Sequence, residues 1–486
     1  MTKKVLNMTR VSIKERDHAL VIGSSLAGLF AARVLSDHYA RVTILERDPV
    51  NDGPESRKGQ PHTRHIHGLL VQGLEIIKHF FPGLEEQLIE GGAIVADMGE
   101  AMRWYHFDGF KIQFKSGLVG MVMSRPFLEW HIRRRVLDVP NVTLMPEHRV
   151  RGLAMTPDRT RLVGVKVTDR EHPNETRICT ADLVVDACGR GSSTPTWLRD
   201  VGYPSPPESE VKVRVGYATR LYRRRPDDLS GAASVMIFPT PPAGKHLTAL
   251  FPVENERWIV TAIGWCGDYP PDDDSGFLAF IRRMPVPDIF DIISRAEPLS
   301  DIVTHRFPSN LRRHYEKLHR FPEGYLVIGD AVASFNPIYG QGMTSAAMQA
   351  QALDDVLRRR RGSHGLWRSF FRRVADIVNI PWQLAVGEDF RYPETEGRKP
   401  ALMDLVNAYV AKVHVATQHD AVVYGQFLRV MNLMAPPISL MHPRIAWRVL
   451  RRRPGRVTKR FPGALTDSSA GSSATLAATP PRPARR

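Results

Sequence analysis

Cysteine is scarce in this chain of 486 residues, which contains only Cys179, Cys188 and Cys266. The three are scattered and form no Cys-x-x-Cys pair. Because small secreted scaffolds depend on many closely spaced cysteines, this scarcity argues against a disulfide framework. It predicts a reducing compartment, the cytoplasm.

Long hydrophobic runs are absent as well. No window of the sequence reaches the ~18 uninterrupted apolar residues of a membrane span. The polar N-terminal stretch does not resemble a secretion leader. Hydrophobic residues make up 43% and charged residues 24% of the chain, which is typical of a globular protein. Its length predicts two packed regions and an appendage rather than one core.

Acidic residues are missing from one long segment. Between Ala421 and Thr466 there is no Asp or Glu, and the chain as a whole has a formal net charge of +16. An apolar stretch containing Trp447 is accompanied by Arg444, Arg448, Arg451, Arg452, Arg453, Arg456, Lys459 and Arg460. We expect no nucleic acid partner, because no recognised reader fold accompanies these residues. Two interpretations stay open: a solvated surface, or peripheral contact of residues 438–460 with the inner face of the cell membrane.

A glycine-rich turn, Gly23-Ser24-Ser25-Leu26-Ala27-Gly28, is the first pattern with chemical meaning. The apolar run Ala19–Ile22 before it predicts a buried strand, and Leu29–Leu35 after it predicts a helix. In such a unit glycine lets the helix lie close to the strand, and a pyrophosphate binds the free N–H groups of the helix N-terminus. Ser25 departs from the usual fingerprint, because it stands where the middle glycine is expected.

A carboxylate follows this turn at the expected spacing. The stretch Arg41–Leu45 predicts a second strand that ends in Glu46, where nucleotide-binding folds place the acid that contacts the ribose hydroxyls. The sequence therefore predicts a dinucleotide site. Its predicted contacts are Gly23, Ser25, Ala27, Gly28, Glu46 and Arg47.

A second segment that combines a strand, an acidic residue, glycines and a helix lies far along the chain. Tyr325–Ile328 predicts a strand that places Asp330 at its carboxyl end, where the carboxylate can accept a hydrogen bond from a ribityl or ribose hydroxyl. The following glycines allow close approach to a flat ring, and Thr344–Leu357 predicts a helix whose N-terminus stabilises the negative charge of a reduced flavin. Two such segments in one chain indicate one long dinucleotide, FAD. The predicted contacts are Asp330, Pro337, Gly340, Gln341, Gly342 and Met343.

Further motifs accompany these two segments. They are Glu46-Arg47, the loop Arg57-Lys58-Gly59-Gln60-Pro61 leading into Arg64-His65-Ile66-His67, Ser124-Arg125-Pro126, and Asp186-Ala187-Cys188-Gly189-Arg190-Gly191-Ser192. From about Ala19 to Leu357 the chain resembles FAD-dependent monooxygenases of the aromatic-hydroxylase and squalene-epoxidase type, most closely the bacterial polyene epoxidases of polyether antibiotic pathways. The resemblance implies that Arg125 contacts the FAD phosphates or the ribitol, and that Pro337 lies over the flavin near its reactive edge.

One departure from this family concerns the electron donor. Many aromatic hydroxylases have Asp-Gly in the middle motif, with an aspartate that helps to place FAD and NAD(P)H, whereas Cys188 precedes Gly189 here. Asp186 stands two residues earlier, and no second glycine-rich fingerprint occurs between Arg190 and Phe321. NAD(P)H is therefore expected to act either directly and transiently or through a separate flavin reductase.

Three nearby histidines, His62, His65 and His67, resemble a metal site at first sight. A zinc site needs a fourth ligand in a defined frame, and the sequence offers none. We therefore expect no metal and interpret these histidines as part of a loop near the flavin.

The order of the motifs predicts an α/β fold with a discontinuous domain. A Rossmann-like FAD-binding domain of the glutathione-reductase type receives an inserted antiparallel sheet, with strands expected at Val211–Leu221, Ala233–Phe238, Leu247–Phe251 and Arg257–Gly264. A helical C-terminal region should follow a break at Pro381–Pro400. The predicted boundaries are a flexible extension at 1–16, FAD-binding parts at 17–195 and 305–365, a substrate-binding sheet at 196–304, helices at 366–465 and a disordered tail at 466–486.

The function that this pattern favours is an FAD-dependent monooxygenase. It is expected to epoxidise an alkene of a hydrophobic isoprenoid or polyketide with O2, through a flavin C4a-hydroperoxide. The cofactor carries this chemistry, so no catalytic side chain is assigned. An aromatic hydroxylase, a polyprenyl reductase of the geranylgeranyl type and a non-enzymatic flavin-binding protein are the alternatives. A halogenase is disfavoured because the sequence has no Trp-x-Trp-x-Ile-Pro segment.

Overall fold

The computed structural model describes residues 16–57, 59–229, 232–359 and 364–451. The predicted N-terminal extension, Lys58 of the loop motif, the disordered tail and the basic residues from Arg452 to Arg460 lie wholly or almost wholly outside these residues. The described residues belong to one compact unit, so the domain boundaries within it stay predictions.

The strands of the described residues are numbered in chain order. They are β1 (His18–Ile22), β2 (Arg41–Leu45), β3 (Ile94–Asp97), β4 (Met102–His106), β5 (Gly109–Phe110), β6 (Val119–Val122), β7 (Val142–Met145), β8 (His148–Met155), β9 (Leu162–Asp169), β10 (Arg177–Thr180), β11 (Leu183–Asp186), β12 (Glu208–Arg223), β13 (Ser234–Ile237), β14 (His246–Val253), β15 (Arg257–Gly264), β16 (Val303–Arg313), β17 (Tyr325–Val327), β18 (Ala333–Ser334) and β19 (Glu396–Gly397).

The helices are numbered in the same way. They are α1 (Leu26–Ser36), α2 (Val71–Phe80), α3 (Leu84–Glu90), α4 (Arg125–Leu137), α5 (Thr194–Asp200), α6 (Asp274–Arg282), α7 (Asp288–Ile293), α8 (Gly342–Arg359), α9 (Leu366–Asp389), α10 (Met403–Ala416), α11 (Ala421–Met431) and α12 (Pro443–Arg451). Short 3₁₀ turns occur at Pro61–Arg64, Gly189–Gly191, Tyr315–Lys317, Gly329–Ala331, Pro337–Tyr339 and Pro437–Met441.

A parallel sheet forms the first layer, with strand order β17-β11-β1-β2-β7. Its register aligns the carboxyl ends of the strands, because Ile22 pairs with both Asp186 and Leu45, and Asp186 pairs with Val327. The segments that follow β1, β2, β11 and β17 therefore meet at one edge of the sheet, which is where open α/β sheets bind ligands. Helices α1 and α8 pack against each other beside this sheet.

An antiparallel sheet forms the second part, in the order β18-β16-β12-β15-β14-β13-β4-β5, with β19 also paired to β12. Its four central strands are the ones predicted from alternating hydrophobicity. The sheet also includes β4 and β5, from a much earlier part of the chain, and β4 pairs in parallel with β13. The predicted α/β fold with an antiparallel sheet and C-terminal helices is confirmed.

The predicted break at Pro381–Pro400 starts too early, because Pro381 lies inside the helix α9, which ends at Asp389. Proline removes one helical hydrogen bond and costs about 3 kcal/mol or more. Here Pro381 is buried, and so are Val378 and Val386 on either side of it, so apolar packing offsets that cost. Beyond residue 402 the chain forms the helices α10, α11 and α12. Among the described helices, none is long and apolar enough to cross a bilayer.

Candidate cofactor and substrate site

The first glycine turn brings helix α1 directly against strand β1. Gly23 has a φ of +98°, and a Cβ added at Gly28 would stand 1.9 Å from the Gly23 carbonyl oxygen. Neither position therefore accepts a side chain without distortion. Ser25 is the N-cap residue of α1, but its side chain makes no capping hydrogen bond. The free backbone N–H groups in the first turn of α1 can therefore donate hydrogen bonds to an acceptor on a ligand.

Glu46, which follows β2, holds this turn in place. Its Oε2 accepts hydrogen bonds from the Ser24 backbone N at 2.9 Å and from Ser24 Oγ at 2.6 Å, and its Oε1 accepts one from Asp48 N at 3.0 Å. The neighbouring Arg47 is exposed and donates to the Asp48 carboxylate. Glu46 therefore lies at the turn, whereas Arg47 contacts its own neighbour Asp48.

A network of buried charged side chains contacts the first glycine turn through Ser25. Arg57 Nη2 donates to Glu129 Oε1 at 2.7 Å, and Arg125 Nη2 donates to Glu129 Oε2 at 2.8 Å and to Ser25 Oγ at 2.9 Å. Burial alone would raise the pKa of Glu129, but the charges of Arg125 and Arg57 outweigh it and lower the pKa. Sequence reasoning missed Glu129. Its only signal was its position one helical turn after Arg125.

The second glycine segment meets the first one. Gly329 has a φ of +70°, and a Cβ there would lie 2.7 Å from Cβ of Ala27. The Asp330 side chain is accessible. The surrounding protein nevertheless desolvates its carboxyl group and raises the pKa to about 6, while the positive charges of Arg125 and Arg190 oppose this rise. The structure thus brings the two predicted sites together around one space.

The loop from Asn336 to Gly340 is held by a hydrogen-bond network. Tyr217 OH donates to Asn336 Oδ1 at 3.1 Å, and Asn336 Nδ2 donates to Asp389 Oδ1 at 3.0 Å. Burial raises the pKa of Asp389 to about 7, opposed by hydrogen bonds from Asn310, Asn336 and Tyr339. Asp389 comes from the end of α9, which the sequence placed in another region, so nothing in the pattern pointed to it.

Several buried polar atoms around this space have no hydrogen-bond partner within the described part of the chain. Gln341 is 1% exposed, and both its Oε1 and its Nε2 lack one, as does Thr344 Oγ1. The Nε atoms of Arg57 and Arg125 are also buried and have no hydrogen-bond partner among the described residues. Buried polar groups are normally hydrogen-bonded. Unpaired donors and acceptors beside glycines that cannot carry a side chain fit a flat, polar cofactor such as FAD.

The remaining predicted contacts lie beside these groups. Gly340 has a φ of +65°, and a Cβ there would touch Gly68. A Cβ at Gly342 would stand 3.9 Å from Asp330 Oδ1, so the start of α8 faces that carboxylate. Met343 is buried, and Pro337 is exposed towards a cavity.

The histidine loop borders the same region. Desolvation by the surrounding protein lowers the pKa of His62, although its side chain is accessible, to about 4, and burial lowers the pKa of His65 to about 3. His305 and, for His62, Arg125 add to the effect. The pKa of His67 is also lowered well below its ordinary value by burial. These rings are therefore neutral at pH 7. In the described part of the chain, no three His, Cys, Asp or Glu residues are arranged to hold a metal ion.

The middle motif supports the backbone near the cofactor edge. Asp186 is fully buried and accepts hydrogen bonds from Cys188 N at 2.9 Å and from the hydroxyls of Ser192 and Thr194. Its carboxylate is thus occupied within its own loop. The Cys188 side chain is accessible, but desolvation by the surrounding protein and the charge of Asp186 raise the pKa of its thiol well above the ordinary value, which disfavours a reactive thiolate.

A cavity of about 730 Å³ adjoins the loop at Pro337–Gly340. Its walls come from the antiparallel sheet and from α9, α10 and α11, and most of its lining side chains are apolar. They include Ile66, Leu69, Met98, Trp104, Met236, Phe238, Ile263, Val410, Phe427 and Leu440. Such a space holds an apolar molecule of drug-like size or a longer flexible chain.

The chain resembles known proteins both in sequence and in structure. No family model matches the chain. Protein Rv3254 of Mycobacterium tuberculosis is 33% identical over 456 residues, which cover 89% of this chain and 94% of that protein. Kynurenine 3-monooxygenase of Salinispora tropica is 23% identical and covers 71% of this chain and 73% of its own.

Solved structures with the same fold include two flavin-dependent proteins. The flavin-dependent brominase Bmp2 superposes with a TM-score of 0.61 at 14% identity, covering 85% of this chain and 93% of its own. PqsL, a probable FAD-dependent monooxygenase from Pseudomonas aeruginosa, superposes with a TM-score of 0.55 at 18% identity, covering 77% of this chain and 98% of its own. At these identities the likeness concerns the fold alone.

Proposed function

This chain belongs to the FAD-dependent monooxygenase superfamily, in one family with the mycobacterial relative, and on this premise we propose that it epoxidises an alkene of an apolar isoprenoid or polyketide. The observation that carries the proposal is one shared loop. Pro337–Gly340 borders both the predicted cofactor space and the apolar cavity, so an alkene in the cavity would lie against the cofactor.

The residues around the two glycine segments would hold FAD. The uncapped N-terminus of α1 and the orphaned Nε of Arg125 suit the pyrophosphate, and Asp330 suits a ribityl hydroxyl. The unpaired amide of Gln341 suits the polar edge of the isoalloxazine, where the N-terminus of α8 would stabilise negative charge. Glu46, already bonded to Ser24, keeps lone pairs for the adenosine ribose.

When bound and reduced, FAD supplies the activation of dioxygen. The protein's contribution is then positional. The apolar lining of the cavity would orient the alkene and exclude water. The network of Tyr217, Asn336 and Asp389 would fix the loop that separates substrate from flavin. Asp389 is a positioning residue in this proposal, since it touches the loop and not the cavity.

A separate flavin reductase is the electron donor that we propose. Direct reduction needs a group that places the nicotinamide, and the occupied carboxylate of Asp186 cannot take the role of the aspartate that Cys188 replaces.

Peripheral membrane contact is proposed for the C-terminal helices. Val406, Ile438 and Met441 line the cavity and are 51%, 68% and 59% exposed, so the cavity opens to the surface through an apolar rim. Helix α12, which packs against α10, adds the exposed Trp447 and Leu450. The neighbouring Arg444 and Arg451 are exposed, and exposed apolar and basic side chains together suit an anionic membrane surface.

Isotope labelling tests the reaction. The purified holoprotein is supplied with candidate polyenes, a flavin reductase, NADH and ¹⁸O₂. We expect a product with one labelled oxygen and one double bond fewer, since a monooxygenase divides dioxygen between substrate and water. A product that gains hydrogen without label would establish a reductase instead. A halogenated product in the presence of bromide would point to the chemistry of Bmp2, and a hydroxylated ring to an aromatic hydroxylase.

A further inference from the structure

A buried lysine stands behind one wall of the cavity. Lys111 is 4% exposed, and its Nζ donates to Thr417 Oγ1 at 2.7 Å and to His414 Nδ1 at 3.2 Å. The rings of Trp104 and Phe427 lie with their centroids 4.8 Å from Nζ, and the ring of Tyr424 lies at 5.6 Å. This surrounding favours a cation but offers it no negative charge.

The ammonium group of Lys111 forms no ion pair with the residues that the structure describes. Among the described residues, no carboxylate accepts a hydrogen bond from Lys111. The negative charge of Glu388 acts on Lys111. Glu388 already accepts two hydrogen bonds from the Arg391 guanidinium, however, at N–O distances of 2.7 and 3.1 Å. Burial lowers the pKa of Lys111 to about 7, with Glu388 opposing the effect. A buried, unpaired charge is costly, so an anion brought by a ligand would stabilise this cluster.

Two histidines connect Lys111 to the cavity. His106 and His414 are each 4% exposed and line the cavity, and their ring centroids lie 4.3 Å apart. Because Lys111 donates to Nδ1 of His414, the ring hydrogen of His414 is on Nε2 and is available to a ligand. The single ring hydrogen of neutral His106 is engaged by the backbone of Pro239, so its Nδ1, which has no partner among the described residues, offers a lone pair and not a donor. The donor on this wall is therefore Nε2 of His414, backed by one ammonium group.

We propose that His414, backed by Lys111, forms a subsite for the carboxylate at one end of an otherwise apolar substrate chain. The inference rests on the proposed function, whose substrate class it narrows to unsaturated carboxylic acids. A single cation with one neutral imidazole donor matches one negative charge. A diphosphate carries more charge and would need several basic side chains. Lys111 is a positioning residue here, because it acts through His414.

The subsite has a pH dependence of defined sign. Burial lowers the pKa of His106 and of His414 well below the ordinary value, so both rings stay neutral from pH 6 to 9, and Arg391 and Glu388 face the cluster as an ion pair. Within this cluster only Lys111 gains or loses its charge in this range, and Asp389, whose pKa burial raises to about 7, is hydrogen-bonded to Asn336 and not to the cluster. An anion favours the ammonium form, so carboxylate affinity should be highest below about pH 7 and fall as the pH rises.

Equilibrium binding tests the subsite without turnover. Calorimetry with the FAD-loaded protein compares laurate with dodecanol, which has the same chain length but no charge. We expect laurate to bind about tenfold or more tightly at pH 6.5, and Lys111→Met to remove that preference while dodecanol binding stays unchanged. Lys111→Arg, which stays charged, should keep the preference up to pH 9. Lys115→Met is the matched control, because Lys115 is exposed on the same segment.

Three outcomes would overturn the proposal. Equal affinity of the unaltered protein for laurate and dodecanol would do so without any variant, even if Lys111→Met failed to fold. Equal losses in Lys111→Met and Lys115→Met, or a laurate preference independent of pH in the unaltered protein, would also contradict it. The proposed function fails separately: a laurate preference without incorporation of labelled oxygen would leave the subsite standing and remove the epoxidase.

Discussion

Gly329 and Ala27 touch, although they are far apart in the sequence: a Cβ added to Gly329 would lie 2.7 Å from Cβ of Ala27. The contact joins the loop after β17 to the first turn of α1. Because each of these segments carries one group of the predicted FAD contacts, their approach makes a single cofactor space from two separate motifs.

Gly329→Ala should weaken FAD binding and lower stability. The new methyl group overlaps Ala27, and the φ of +70° costs alanine a further 1–2 kcal/mol or so. FAD content after desalting and thermal unfolding measure the two effects. Ala27→Gly combined with Gly329→Ala should restore part of the loss, because the overlap disappears and only the backbone cost remains. Gly152→Ala is the control, since the nearest atom there is 3.9 Å away. Full FAD content in Gly329→Ala would contradict the role of this contact.

FAD affinity should rise with pH through about 6. Desolvation raises the pKa of Asp330 to about 6, and only the ionised carboxylate is a full acceptor for a ribityl hydroxyl. FAD binding therefore favours loss of the proton. Fluorescence titration of apoprotein with FAD between pH 5 and 8 measures this, and Asp330→Asn should bind weakly with no such dependence. If the surface variant Asp37→Asn changed the profile as much as Asp330→Asn, Asp330 would not be the titrating group.

NADH alone should reduce the bound FAD slowly, and a flavin reductase should accelerate turnover. The reason is that Cys188 stands where related enzymes have an aspartate, and Asp186 is occupied by hydrogen bonds. Stopped-flow absorbance under nitrogen measures the reduction rate. Cys188→Asp should increase it and Cys188→Ser should not. Rapid stoichiometric reduction of the unaltered protein without a partner would sink this prediction.

The apolar rim of the cavity should attach to anionic vesicles. Each basic residue near such a surface contributes about 1 kcal/mol, and salt weakens the attraction over a Debye length of about 8 Å at physiological strength. Trp447→Ser with Leu450→Ser, or Arg444→Glu with Arg451→Glu, should reduce co-sedimentation while FAD stays bound. Ile178→Ser is the control, because Ile178 is 56% exposed on β10. If the unaltered protein ignores such vesicles at low salt, the rim is an ordinary surface or binds another protein.

Local sequence was sufficient for the units that are built by neighbouring residues. The strand–turn–helix unit at β1 and α1, the strand that ends at Glu46 and the four central strands of the antiparallel sheet were all predictable. Their conformation depends on hydrophobic period and on glycine, which a short window of sequence contains.

Residues that act across the fold were not predictable. Glu129 and Asp389 hold the two cofactor loops, yet each lies on a helix whose pattern is ordinary. The same limit explains Pro381, which a local rule places at a helix end and which burial keeps inside one. The strands β4 and β5 lie within residues 17–195, which were predicted to bind FAD, yet they pair in the antiparallel sheet. The reason is that sheet pairing is decided by packing and not by order along the chain.

The sequence by itself determined the cofactor segments, because the turns that bind a dinucleotide need glycine and an acid at fixed spacings within a few dozen residues. Only the tertiary structure decided what surrounds them: the buried pairs of Arg57 and Arg125 with Glu129, the apolar cavity, and Lys111 beside His414. The physical reason is that burial and charge pairing depend on which distant segments meet. A lysine that would be an ordinary surface cation in an extended chain becomes an unpaired charge only when α10, α11 and the sheet close around it.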